Sequence, residues 1–196
     1  MRIALGFKAH SGWAALVAVA MEGEGLHVVD RRRVELVGDD AAWAKAPYHA
    51  VEGMTHAKAA ALVAKATRDA HREAIREMKL AVDRLSGEGH EVAACAVLMP
   101  NPMPAWNLEQ IRAVHIRWHQ AEGVLFPDAI ARAAEACGVA LVEVPEKRLG
   151  QCVDDAMGAA ASAVTKRVDA LARTLGPPWG KDQKTATLAA IVALRR

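Results

Sequence analysis

His115, His119 and Glu122 stand at positions i, i+4 and i+7, so on a continuous helix they share one face. Two imidazoles one turn apart can chelate zinc, and a carboxylate on the next turn can be a third ligand. The stretch His115-Ile116-Arg117-Trp118-His119 lacks the glutamate that follows the first histidine in metalloprotease helices. With Arg112 alongside, the three residues read as a polar helix face, and no metal is assigned to them. Lys8, His10 and Ser11 form a second group at the end of an apolar run. A histidine beside a serine can act as base to a nucleophile, but no G-x-S-x-G elbow is present and turns commonly contain both residue types.

Basic residues are clustered but not dominant. Arg31, Arg33, Lys147, Arg148, Lys181 and Lys184 are the candidate phosphate contacts, and Trp106, Trp118 and Trp179 the candidate base-stacking residues. The competing reading is a solvated surface around core tryptophans. Twenty-five Lys and Arg against 23 Asp and Glu leave a formal net charge of +2, which excludes a strongly basic nucleic-acid coat and leaves weak binding open.

Three cysteines, Cys95, Cys137 and Cys152, are widely spaced with no C-x-x-C pair, so neither a zinc ribbon nor a disulfide framework is expected. No run reaches the ~18 apolar residues of a membrane span. Arg2 and the apolar segment Trp13 to Met21 imitate a signal peptide, but Lys8 and His10 interrupt it. The expected location is cytoplasmic, with no membrane partner.

These groups must be positioned by elements that the sequence patterns announce. The runs 2–7, 13–21 and 26–36, joined by short glycine-containing turns, predict an antiparallel three-strand meander. Residues 37–48 read as irregular. From Thr55 to Leu85 there is no Pro or Gly, predicting one helix of about 30 residues capped by Thr55. Glu91 to Leu98 reads as a strand buried on both faces. Asn107 caps a helix to about His119, and a second helical stretch covers 120–137 with a break at Pro127. Residues 139–144 form a fifth strand, 152–175 a helix, and 181–194 a last helix. The order β-β-β-α-β-α-β-α predicts an α/β fold, a mixed five-stranded sheet flanked by helices. Hydrophobic residues make up 53% and aromatics only 4%; alanine, about a fifth of the chain, suits close helix packing. A single domain over residues 1–196 is expected.

The element order, the stretches Ile3–Lys8 and Ser11–Ala14, the stretch His119–Val124, the stretch Val142–Arg148 and the stretch Asp182–Ala186 together resemble the ribonuclease H-like superfamily, and within it the bacterial Holliday-junction resolvases. Ile3-Ala4-Leu5-Gly6-Phe7-Lys8 followed by Ser11-Gly12-Trp13-Ala14 is similar to their first hairpin. His119-Gln120-Ala121-Glu122-Gly123-Val124 resembles their Gly-Gln-Ala-Arg-Gly-Val helix start. Val142 to Arg148 resembles the fifth strand and the basic turn after it, and Asp182-Gln183-Lys184-Thr185-Ala186 the opening of the last helix.

The resemblance implies a site of four acidic residues holding two divalent cations for phosphodiester cleavage. Position by position, Lys8 stands where the first-strand aspartate is expected. Leu98 or Met99 stands at the end of the fourth strand. Asp182 is retained, but Thr185 takes the second position of the last helix. Glu91 or Asp39 are the nearby substitutes, and Lys8 could pair with Asp182. Two functions follow. One is a resolvase-like protein without the standard two-metal site, binding nucleic acid or a protein partner and needing no cofactor. The other is a nuclease or other hydrolase with a rearranged site around Lys8, His10, His119, Glu122 and Asp182, which would use Mg²⁺. A homodimer through Ala57, Ala61 and Ala64 of the long helix is a third, structural expectation.

Overall fold

The structure is a computed structural model and describes residues 1–23 and 25–196; the side chain of Asp39 is also outside the described set. Among the described residues five strands form one sheet: β1 (Arg2–His10), β2 (Trp13–Glu22), β3 (Gly25–Glu35), β4 (Glu91–Met99) and β5 (Ala140–Pro145). Their order is β3-β2-β1-β4-β5. β1 pairs antiparallel with β2, and β2 with β3, whereas β1–β4 and β4–β5 are parallel. The mixed sheet expected from the element order is therefore present, with strands slightly longer than the apolar runs suggest.

Strand alternation sorts the core into two layers. Ile3, Leu5, Phe7 and Ala9 of β1 face helices α2 (His56–Gly87) and α4 (His115–Ala136). Ala4, with Val17, Val19, Ala96 and Leu98 of neighbouring strands, faces α5 (Leu149–Met157), α6 (Ala161–Ala170) and α8 (Lys181–Leu194). The alanine excess lines both interfaces. α2 buries Ala59, Val63, Ala66, Ala70, Ala74, Met78, Ala81 and Leu85 on a 3.6-residue period. Its Ala57, Ala61 and Ala64 are exposed, on the face away from the sheet.

α8 lies across β1, β2 and β4, and Gly6 is what lets it approach. A Cβ built at Gly6 would sit 1.9 Å from the carbonyl oxygen of Ala186 and 3.0 Å from the Ala190 Cβ. The absence of a side chain brings the helix backbone against the strand and fixes where the first turn of α8, carrying Asp182 and Thr185, stands relative to Lys8 and His10.

Several boundaries differ from the sequence reading. The break expected at Pro127 is absent, because α4 runs unbroken through it. The interruption falls earlier, at Ala113 and Val114, between α3 (Leu108–Arg112) and α4. α3 is closed by a capping box between Asn107 and Gln110. Residues 152–175 are not one helix. Gly158 adopts φ 53°, which ends α5, and a 3₁₀ turn, α6 and α7 (Ala172–Leu175) follow. The segment read as irregular holds a 3₁₀ helix (Asp39–Lys45) and α1 (Pro47–Ala50), which starts on a proline. Among the described residues, no helix is long and apolar enough to cross a membrane. Cys95 is fully buried, and desolvation pushes its thiol far above the ordinary range, which makes it an inert packing residue.

Candidate functional site

Lys8 and His10 lie on the α8 side of β1, since Ala4 and Gly6 of the same parity do so. The ammonium of Lys8 is 2.7 Å from Glu146 Oε1, and His10 Nε2 is 3.1 Å from Asp182 Oδ1. The pairing expected between Lys8 and Asp182 is thus replaced by two separate pairs. Glu146 opens the 3₁₀ turn Glu146–Arg148 directly after β5, and that position aims it across the sheet edge at Lys8. In the sequence this turn stands out for Lys147 and Arg148, and nothing marks the carboxylate beside them. The ring of His10 stacks on Trp13 (4.5 Å, 15° between planes), and the Arg33 guanidinium lies 3.9 Å over the other ring system of the stack, Trp13.

The apolar positions at the end of β4 divide between the faces. Leu98 is buried in the α8 layer, and Met99 packs with the α2–α4 layer. Glu91 opens β4 beside Arg2, at the opposite end of the sheet from Lys8. Asp39, the other substitute named from sequence, has its side chain outside the described residues.

A cleft of about 610 Å³ opens at this edge. Its walls come from the proline-rich segment after β4, from α4, from the turn after β5 and from α8. The polar side chains on them are Asn101, His119, Gln120, Glu146, Lys147, Lys181 and Thr185. The Thr185 hydroxyl donates to the Asp182 carbonyl at 3.1 Å, and the Gly180 amide donates to Gln183 Oε1 at 2.9 Å, tying down the start of α8. Two lysines and an imidazole around a partly apolar cleft suit an anionic ligand with an apolar or aromatic part.

Glu122 does not belong to this cleft. It is buried and turned toward α1, where it accepts hydrogen bonds from the Tyr48 and His49 amides, each at 3.1 Å. His49 Nδ1 lies 2.9 and 2.8 Å from its two oxygens. Burial first, and then the Glu122 charge, push the Tyr48 hydroxyl above its ordinary range. Of the residues named from sequence for a rearranged site, the structure gathers Lys8, His10, His119 and Asp182 around one edge and removes Glu122 to a second cluster. His119 borders both. That cluster includes His49 and His115, whose rings are 4.7 and 4.8 Å from the His119 ring. His49 was missed from sequence because it lies 73 residues from Glu122 in a segment without clear periodicity.

The basic candidates have different fates. Arg31 is engaged within the fold: its guanidinium donates to the carbonyls of Leu175, Gly176 and Pro178. Arg33 is held by Glu35 and by the stack on Trp13. Lys184 pairs with Asp169 at 2.8 Å. Lys147 and Lys181 line the cleft, and Arg148 is exposed next to Lys147. Of the tryptophans, Trp118 and Trp179 are buried, and the Trp179 indole donates to the Val168 carbonyl at 2.8 Å. Neither is available to stack on a base. Trp106 is part-exposed beneath Arg117, 4.5 Å from the ring centre.

The fold just described, a mixed five-stranded sheet flanked by helices, is of the ribonuclease H-like type. Two solved structures carry the likeness. RuvC of Thermus thermophilus in complex with Holliday junction substrate superposes with a TM-score of 0.54 at 12% identity, over 100% of this chain and 94% of that one. The Thermus thermophilus RuvC structure gives a TM-score of 0.53 at 14% identity, over 98% and 93%. No protein-family model matches the sequence, and no curated protein matches it.

Proposed function

We propose that this chain, acting as one ribonuclease H-like domain, binds nucleic acid at the cleft on the β1–β4–β5 edge and does not cleave it by the two-metal route. The fold likeness to a resolvase seen with its junction substrate supports a nucleic-acid partner. The observation that carries the reading is the Lys8–Glu146 pair. Two hard cations need several oxygen ligands with negative charge around them. Here an ammonium occupies the strand position, its neighbour Glu146 is already paired, and Asp182 sits against His10. That donor set does not fit a two-cation centre. Lys147 and Lys181 supply phosphate contacts, with Arg148 beside them.

The test is binding and cleavage of labelled four-way junctions, duplex DNA and RNA–DNA hybrids, with Mg²⁺ or Mn²⁺ present. Binding without cleavage is expected, weakened by Lys147→Ala with Lys181→Ala. Robust cleavage abolished by Asp182→Ala overturns the reading. A hydrolase with a rearranged site is the second reading, and the placement of His119 on the same cleft as Glu146 and Thr185 favours it. Metal-dependent turnover lost in both His119→Ala and Asp182→Ala would select that alternative.

A further inference from the structure

We propose that His49, His115 and His119 form a site for one transition-metal ion of the zinc class, with Glu122 as the carboxylate that orients His49. The three residues each offer a ring nitrogen, and these atoms lie within 4.8 Å of one another. Two elements far apart in the chain make the cluster. α4 begins at His115, so His115 and His119 lie one turn apart on a single unbroken helix. α1 delivers His49 from the other side, as its rings show: 5.3 Å from His115 at 90°, and 4.7 Å from His119.

The chemistry of His49 points to a ligand. Glu122 is held in place by two backbone amides and takes both its oxygens to His49 Nδ1. A carboxylate there fixes the proton on Nδ1 and turns the Nε2 lone pair outward. This is the arrangement by which carboxylates orient metal-bound histidines. A tetrahedral ion with Zn–N bonds of ~2.0–2.1 Å places its donors roughly 3.3 Å apart. Closing the separations here, within 4.8 Å, to that value falls to the rings of His115 and His119, both of which are exposed. Three neutral imidazoles suit zinc, cobalt, nickel or copper and are poor ligands for Mg²⁺, so the site is chemically distinct from a carboxylate nuclease centre. Three protein ligands also leave a fourth position for water or a ligand atom, as in catalytic and not structural zinc sites. His119 lies on the cleft wall, so that the metal would border the proposed nucleic-acid cleft without depending on it.

The test uses the tag-free full chain, stripped with a chelator and then titrated with Zn²⁺ by calorimetry and with Co²⁺ by visible absorption. The expected result is one ion per chain, with the intense visible bands of tetrahedral Co²⁺. His115→Ala replaces an exposed side chain at the start of α4 and is expected to abolish the bands while circular dichroism stays unchanged. Glu122→Gln, which keeps an acceptor for the two amides, is expected to weaken Zn²⁺ binding about 10- to 100-fold. Absence of stoichiometric uptake by the unmodified chain overturns the proposal. So does uptake that survives in both His115→Ala and His119→Ala, which marks scattered binding by surface histidines. Because the readout is metal uptake, failure here leaves the nucleic-acid reading standing, and the reverse holds as well.

Discussion

Lys8 and Glu146 set the electrostatic character of the cleft edge. Lys8 is 15% exposed and Glu146 36%, so the pair lies between the surface case, worth under ~1 kcal/mol, and the buried one. A double-mutant cycle of Lys8→Met and Glu146→Gln, read by urea denaturation, is expected to give a coupling of about 1 kcal/mol. A coupling indistinguishable from zero would mean that the two groups are separately solvated and that Lys8 is available to a ligand. Lys8→Met alone is expected to cost more than the double change, because it leaves a carboxylate facing the half-buried edge without its partner. Asp182 is separate from Lys8, its partner being His10, so Asp182→Asn is expected to leave the Lys8–Glu146 coupling unchanged in the same denaturation assay.

At the scale of elements, two contacts hold α8 and its approach turn against the sheet. Gly6→Ala places a methyl group inside the Ala186 carbonyl oxygen. The clash is with backbone, so no truncation of an α8 side chain relieves it, and the helix must move. A loss of about 1–3 kcal/mol is expected, seen as a lower urea midpoint that Ala190→Gly does not restore. Arg31 ties β3 to the turn before α8 through carbonyls of Leu175, Gly176 and Pro178. Arg31→Met is expected to destabilise by about 1.5–3 kcal/mol, the scale of hydrogen bonds to a charged group, with little change in nucleic-acid affinity. Affinity that falls with stability unchanged would return Arg31 to the binding surface.

For the whole molecule, a net charge of +2 gives little long-range attraction, so binding must rest on the few cations at the cleft. If Lys147 and Lys181 each neutralise one phosphate, the slope of log affinity against log salt is expected to include about −1.8 from them on duplex DNA. The double alanine variant should flatten the slope by that amount. A steep slope that persists in the variant would place the interface on another face.

The strands, the long α2 and the last helix were legible because each carries its own repeating pattern. β1 alternates between two buried faces, and α2 places small apolar residues every third or fourth position over 32 residues. Such patterns depend on neighbours in sequence, and so they survive without tertiary information. The order of the elements then sufficed for the mixed sheet. Lys8, Asp182 and the cleft lysines were also recognisable as residue types at the ends of elements. What the chain order could not specify was partner choice. Lys8 was equally placed for Asp182, and only the height at which Gly6 admits α8 and the turn after β5 directs Glu146 decides the pairing. Pro127 carries the sequence signal of a break, yet α4 runs continuously through it, with Phe126, Pro127, Ala129 and Ile130 all buried. The three-histidine cluster lay furthest from view. Two of its members share a helix face that sequence displays, but His49 arrives from α1 and acquires its meaning from Glu122, 73 residues away. Short-range periodicity determined which elements exist; long-range packing alone determined which charges and imidazoles meet, because those contacts depend on distances between elements and not within them.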